Sequence, residues 1–273
     1  MAQAYDPPAK LVFFPDAGGI AAYVALHLGC LGVFFTGNLR LGLTVGAVTF
    51  LLRMFLLSAA YHRYFAHRAF QTSRFVQAVL AGLGALTMQR GPLWWASTHR
   101  THHQHADTEH DLHSPRYHGF FYAYSGWFLN TRNARTDWDK VRDLAVFPEL
   151  RLLDTWPGYS APVALYALLL YYFLGWTGLV WGWFVSTALL LHVTHWIQSF
   201  SHSWGGYRRF DTRDSSRNHW LLGVVSLGEW HNNHHHRPAS ARQGAVWWEP
   251  DLTYVVLRLL ESLGIIWNLK RQL

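Results

Sequence analysis

Residues 41–68 read LGLTVGAVTFLLRMFLLSAAYHRYFAHR, and this stretch decides the architecture. Residues 41–60 are apolar and long enough to cross a bilayer as a helix, which takes about 20 residues. The apolar run ends in two histidines, His62 and His67. A helix continued beyond the lipid sets His62 about 13 Å past Arg53, at roughly 1.5 Å per residue. Arg53 is a charge within the span, where it is costly, so its stem is expected to snorkel to the cytoplasmic interface. His62 and His67 are five apart and leave a regular helix on different sides. The helix is therefore expected to end or bend between them.

Three further clusters repeat the theme: HRTHH (His99, His102, His103), QSFSH (His202) and HNNHH (His231, His234, His235). Positions i, i+3 and i+4 share a helix face, so each triplet is expected to point one way, as do Gln198 and His202. Together the nine histidines read as a ligand set for two metal ions. Imidazole suits iron, zinc and copper alike, so residue type does not name the metal. A lone histidine is more often a surface or core residue, but two clusters of identical spacing plus an Hx4H pair are hard to reach by chance.

The remaining histidines are expected to be bland. His105, His110, His113, His118, His219 and His236 read as supporting or surface residues, and His27 as packing. His192 and His195 lie inside the last span, and His195 is placed to face the same interior as His202. Asp107, Glu109 and Asp111 either hold ligand imidazoles by their second nitrogen or form a solvated acidic turn.

The 273 residues are 51% apolar and 14% charged, with the apolar runs concentrated at 20–36, 41–60, 161–174 and 177–199. This distribution predicts an all-α integral membrane protein, one domain over 1–273, with four transmembrane helices in two hairpins. Residues 62–160 and 200–273 form a helical cap over them. The connections Thr36–Arg40 and Gly175–Gly178 are short, as hairpins require. Eleven Lys and Arg fall within 62–160 and six within 203–250, against Arg40 alone at the hairpin tips. The positive-inside rule then puts the histidine clusters and both termini in the cytoplasm. It also explains the net charge of +7 without a nucleic-acid partner.

The apolar segment 75–95 cannot cross as well, because one more crossing would place the first two histidine clusters on opposite sides. It is expected to lie in the interface, re-enter, or pack under the cap. Residues 117–130 (YHGFFYAYSGWFLN) suit an interfacial helix. The single cysteine, Cys30, excludes internal disulfides and Cys-ligated clusters. The opening MAQAYDPPAK has no apolar core, unlike a cleavable signal peptide. HExxH, GxGxxG and P-loop patterns are absent.

Over roughly residues 40–240 this pattern resembles the membrane fatty-acid desaturases of the stearoyl-CoA (Δ9) type. HRYFAH, HRTHH and HNNHH look like the family's three histidine boxes, and QSFSH like its NSxxH segment. The resemblance implies two irons in a cytosolic cap, with O2 as co-substrate and electrons from an external ferredoxin or cytochrome b5. It places Gln89, Trp95 and Thr194 along the substrate tunnel, where the acyl chain bends, and Gln198 beside a metal-bound water. Gln198 replaces the family's asparagine. Ser97 and Thr98 stand where animal acyl-CoA enzymes carry an Arg–Asp pair, and a basic pair after the GW motif is reduced to Thr131–Arg132. Arg132 is thus a headgroup contact of lesser weight, and the substrate is acyl-CoA, acyl-lipid or acyl-carrier protein.

Chemistry agrees with that implication. An unactivated C–H bond yields to no side chain, so the oxidant must come from a metal and oxygen; zinc has no redox chemistry to offer. The expected activity is O2-dependent insertion of a cis double bond, at Δ9, into a saturated acyl chain. A hydroxylase on the same scaffold is the nearest rival, and a non-enzymatic membrane metal-binding protein a more distant one.

Overall fold

The computed structural model describes residues 13–272, so the opening MAQAYDPPAK and the placement of the chain ends lie outside the described residues. Among the described residues three helical stretches are long and apolar enough to cross a membrane: Ala17–Phe35, Leu39–Ala66 and Trp156–Phe200. The first begins on Asp16, whose carboxylate accepts the Gly19 N–H at 3.0 Å. The second begins on Asn38, which accepts the Leu41 N–H at 2.9 Å. Such caps satisfy backbone donors that a helix start leaves free.

The third stretch would be about 66 Å long if straight. It is broken at Gly175, whose φ of 61° and ψ of −155° belong to a region that is nearly glycine-only. Tyr166 donates to the Gly182 carbonyl at 3.0 Å, although a straight helix would separate these residues by about 24 Å. The chain therefore turns back on itself at Gly175. Its upstream arm starts at Trp156, earlier than the apolar run at 161, on a Thr155 cap. Small residues let the stretches close up: a Cβ at Gly29 or Gly42 would collide with the rings of Phe184 and Trp181, the packing expected of helices in lipid.

Arg53 does not snorkel. It is 2% exposed because neighbouring helices bring acceptors to it, Leu86 O at 2.7 Å and Ser186 Oγ at 3.0 Å. Segment 75–95 is no single element either. Arg74–Ala85 is a helix capped by Ser73, residues 86–91 are irregular, and Pro92–His105 is a second helix. Twelve residues span only about 18 Å, too short for a bilayer core of about 30 Å. The interfacial helix expected over 117–130 is likewise replaced by two turns, Pro115–His118 and Tyr122–Gly126, parted by Gly119 at φ 80°.

Beneath the histidines lies the main core, with Phe65, Leu93, Leu144, Leu150 and Leu257 fully enclosed. Each such side chain contributes about 1.5–3 kcal/mol on burial. The core ties the end of the second stretch to Pro92–His105, to the short helices between residues 138 and 153, and to Leu252–Ser262. A two-stranded pairing of Gln71–Thr72 with Ile266–Trp267 joins the first box region to the C-terminal part.

Candidate metal centre

The second stretch ends between its histidines, at Ala66 with His67 as its C-cap, and it widens before it ends. Residues Leu57–Ala66 form a π-helix, and the His67 N–H donates to the His62 carbonyl at 3.2 Å. On an α-helix residues five apart are about 140° out of line. The wider i→i+5 turn, a feature common at functional sites, brings the two rings to 5.1 Å between centroids.

The four clusters converge, and each triplet, pointing one way, divides its rings between two adjoining groups. His62, His67, His99, His103 and His234 bring ligand nitrogens within 4.8 Å of one another, and His102, His202, His231 and His235 do the same beside them. In each triplet the i and i+4 members share a group and the i+3 member crosses to the other. Adjacent residues leave a helix about 100° apart, so His102 and His103, like His234 and His235, straddle the pair of groups.

The second ring nitrogens are held from outside. His62 Nδ1 meets Glu229 at 2.6 Å, His102 Nδ1 Asp111 at 3.0 Å, His202 Nδ1 Asp107 at 3.1 Å and His235 Nδ1 Asp214 at 2.8 Å. His234 Nδ1 donates to the Gln243 amide oxygen at 3.3 Å. Such partners fix tautomer and ring orientation in metal sites. Of the acidic turn, Asp107 and Asp111 serve in this way while Glu109 stays in solvent beside His110.

With Nδ1–H committed outward in these five, their Nε2 atoms present lone pairs inward, toward the other imidazoles. His62 and His234 stand Nε2 to Nε2 at 2.9 Å, His103 and His234 at 2.8 Å, and His202 and His231 at 2.8 Å. Imidazoles bound at about 2.0–2.1 Å on neighbouring corners of one ion would be about 2.9 Å apart. His67 Nε2 is buried with no protein partner. The donor set therefore fits two first-row transition ions.

For six of the nine imidazoles the surroundings favour the neutral form that a ligand needs. Burial first, and neighbouring histidines second, hold His67, His99, His103, His231 and His234 well below the ordinary imidazole value. His235 falls to about 4 by burial, with Asp214 opposing. His102 moves the other way, because Asp111 overrides the effect of burial. Asp107 is driven down to about 2: burial would raise it, but His202 and Ser215 prevail. Asp111, Asp214 and Glu229 are likewise lowered against burial by His102, His235 and His62.

An apolar cavity opens onto the groups, lined by Met54, Leu57, Trp95, Thr194, Ile197 and Gln198. Trp95 Nε1 donates to Gln89 Oε1 at 3.0 Å, and Gln89 Nε2 donates to Thr194 Oγ1 at 2.9 Å. Gln198 Oε1 is buried without a protein partner at this wall. Thr98 and His195 line an adjoining pocket, whereas Ser97 turns to its own helix and donates to Trp94 O at 3.0 Å. Arg132 is exposed, with its guanidinium over Phe14 at 4.0 Å.

Comparison with known proteins decides the family. The fatty acid desaturase model matches residues 40–258. This chain belongs to the fatty acid desaturase family. As a member it is a membrane oxidoreductase that desaturates fatty acyl chains with O2 at a histidine-held centre of the di-iron type. It is 36% identical to an sn-1 stearoyl-lipid 9-desaturase of Anabaena variabilis over 253 residues, which is 91% of each chain. It is 38% identical to delta-9 acyl-lipid desaturase 1 of Arabidopsis thaliana over 221 residues, 78% of this chain and 70% of the relative. An acyl-CoA 5-desaturase of Anemone leveillei is 35% identical over 252 residues, 90% and 76% respectively.

The desaturase site also contains residues that histidine spacing does not single out. Glu229 lies two places before the third box, and its proximity is the one available signal. Asp214 and Gln243 carry none. His113, read as a supporting or surface residue, takes the supporting place: it is buried and stacks on His102 at 4.4 Å. His27 and His192 meet Nε2 to Nε2 at 3.0 Å, and Tyr124 donates to His192 Nδ1 at 2.6 Å, so this pair belongs to a separate network.

Proposed function

We propose that this desaturase introduces a cis double bond at Δ9 into a saturated acyl chain carried by a membrane lipid. Two convergent groups of imidazoles beside an apolar cavity carry the reading. The first iron would be held by His62, His67, His99, His103 and His234, and the second by His102, His202, His231 and His235. Once bound, the pair supplies the redox chemistry by which O2 oxidises an unactivated C–H bond.

The chain's own contribution is position. Met54, Leu57 and Ile197 offer an apolar path for the acyl chain, and the linked Gln89, Trp95 and Thr194 set its curve beside His99. Gln198 faces the same space and would orient a water at the centre. A lipid-borne substrate is favoured by Ser97 and Thr98, which supply no charge for a CoA headgroup, and by the two acyl-lipid relatives. Arg132 is exposed, with one face of its guanidinium on Phe14, and its N–H groups would meet a headgroup phosphate or sugar.

The placement in the membrane follows from charge and length. Residues 1–273 form one domain with four crossings in two hairpins, the third long stretch counting as two because it reverses at Gly175. The cap and both termini face the cytoplasm, where ferredoxin or cytochrome b5 would deliver electrons. Expression in a host lacking Δ9 activity, with a competent donor and gas chromatography of total lipids, tests the assignment. Accumulation of Δ9 monounsaturated chains on glycerolipids supports it. Unchanged lipids despite iron-loaded protein, or hydroxylated products, contradict it.

A further inference from the structure

Arg53 lies 14 residues beyond Leu39, about 21 Å along the second stretch at 1.5 Å per residue. A charge at that depth is costly and is kept for a reason. Among the described residues no carboxylate pairs with it. Its Nε donates to the Leu86 carbonyl at 2.7 Å and its Nη1 to Ser186 Oγ at 3.0 Å, with the guanidinium 5.6 Å from the Tyr166 ring centre.

Leu86 opens the irregular connection 86–91, in which Met88 (φ 58°) and Arg90 (φ 61°) are left-handed without being glycine. Such residues hold that conformation only where their surroundings impose it. Gln89 stands between them. Irregular backbone at membrane depth also needs acceptors and donors from the protein, since no water reaches it.

The surroundings form a clamp on this connection. Arg53 grips Leu86 O, Tyr61 donates its hydroxyl to Arg90 O at 2.9 Å, and Thr187 donates to Met88 Sδ at 3.4 Å. Held at both ends, Gln89 reaches Trp95 and Thr194 at the cavity wall. A planar guanidinium joins a carbonyl on one element to a hydroxyl on another in fixed directions, whereas a lysine ammonium is a compact charge whose donors rotate on a flexible stem.

We infer that Arg53 is a positioning residue: by clamping residues 86–91 from within the membrane, it fixes Gln89 and hence which carbon pair is oxidised. This rests on the placement of Gln89, Trp95 and Thr194 along the acyl chain. The test compares full-length wild type, Arg53→Met, Arg53→Lys and Gln89→Ala in a desaturase-deficient host. Double-bond position is read by mass spectrometry of derivatised lipids, with membrane-bound protein and iron measured alongside.

Arg53→Met is expected to retain protein and iron while the share of off-position isomers rises about tenfold, because small displacements of a held substrate are costly. Arg53→Lys should fall between it and wild type. If Arg53→Met does not accumulate, Tyr61→Phe, which removes one hydroxyl from the same clamp, should scatter the isomers. A single isomer at wild-type rate in Arg53→Met, or in Tyr61→Phe where that variant stands in, overturns the inference. Should Gln89→Ala also keep one isomer at wild-type rate, the tunnel placement itself fails and the inference falls with it. Scatter in Gln89→Ala alone refutes only the role of Arg53.

Discussion

His62 and His234 are 172 residues apart in the chain, yet their Nε2 atoms lie 2.9 Å from each other. Both Nδ1 atoms are engaged elsewhere, by Glu229 and Gln243. Two lone pairs so placed repel unless a cation lies between them, and this relation ties the fold to redox chemistry.

Replacing His102 or His234 with alanine removes one ligand from each group in turn. Each variant is expected to remain in the membrane at near wild-type level and to form no unsaturated product, as read by immunoblot and lipid chromatography. Product from either variant contradicts its assignment.

Glu229→Gln keeps the shape of the residue while removing the carboxylate that orients His62. Loss of such a partner weakens metal affinity by about 10–100-fold. Competition with a graded chelator should extract iron from the variant at correspondingly lower chelator concentration. Extraction curves that superimpose would show that Glu229 does not orient the ligand.

Acid should destabilise the metal-free protein well before its carboxylates protonate. His113 is lowered to about 3 by burial and by His102, and five ligand histidines lie well below their ordinary value. These groups bind more protons unfolded than folded, so stability rises with pH and falls as pH drops below about 6.5. Each contributes up to about 1.4 kcal/mol per pH unit. The raised His102 opposes them as one group against several. The lowered Asp107 contributes stability above about 3.9 and loses it only toward its folded value of about 2. Melting of chelator-treated protein should therefore shift down between pH 7 and pH 5; a flat or rising profile is the contrary result.

Gly175→Ala tests the reversal of the third long stretch. Its backbone angles cost a residue with a side chain about 1–3 kcal/mol, although a Cβ there would meet no neighbour within 4 Å. The variant should melt lower in detergent with its spectrum otherwise intact. Unchanged melting would show that the turn does not need glycine.

The histidine set was legible because spacing on a helix is a local property. So were the apolar stretches, and so was the exclusion of 75–95 as a crossing, which follows from parity alone. What escaped depends on three-dimensional partners. The π-helix at Leu57–Ala66 arises in a stretch whose apolar pattern reads equally as α-helix. The splitting of each triplet between two groups depends on where opposing helices approach. Arg53 looked like a snorkelling residue because Leu86 and Ser186, which supply its acceptors, are far away in sequence. Asp214 and Gln243 sit in polar loops with no periodicity to mark them.

Iron counted per chain in active enzyme, beside His67→Ala and His231→Ala, decides whether the nine imidazoles hold a pair of ions. His67 belongs to one group of ligands and His231 to the other. The expectation is two irons in the wild type, fewer than two in each variant, and no product from either. Full turnover with less than one iron per chain, or both variants retaining two irons and activity, would contradict it.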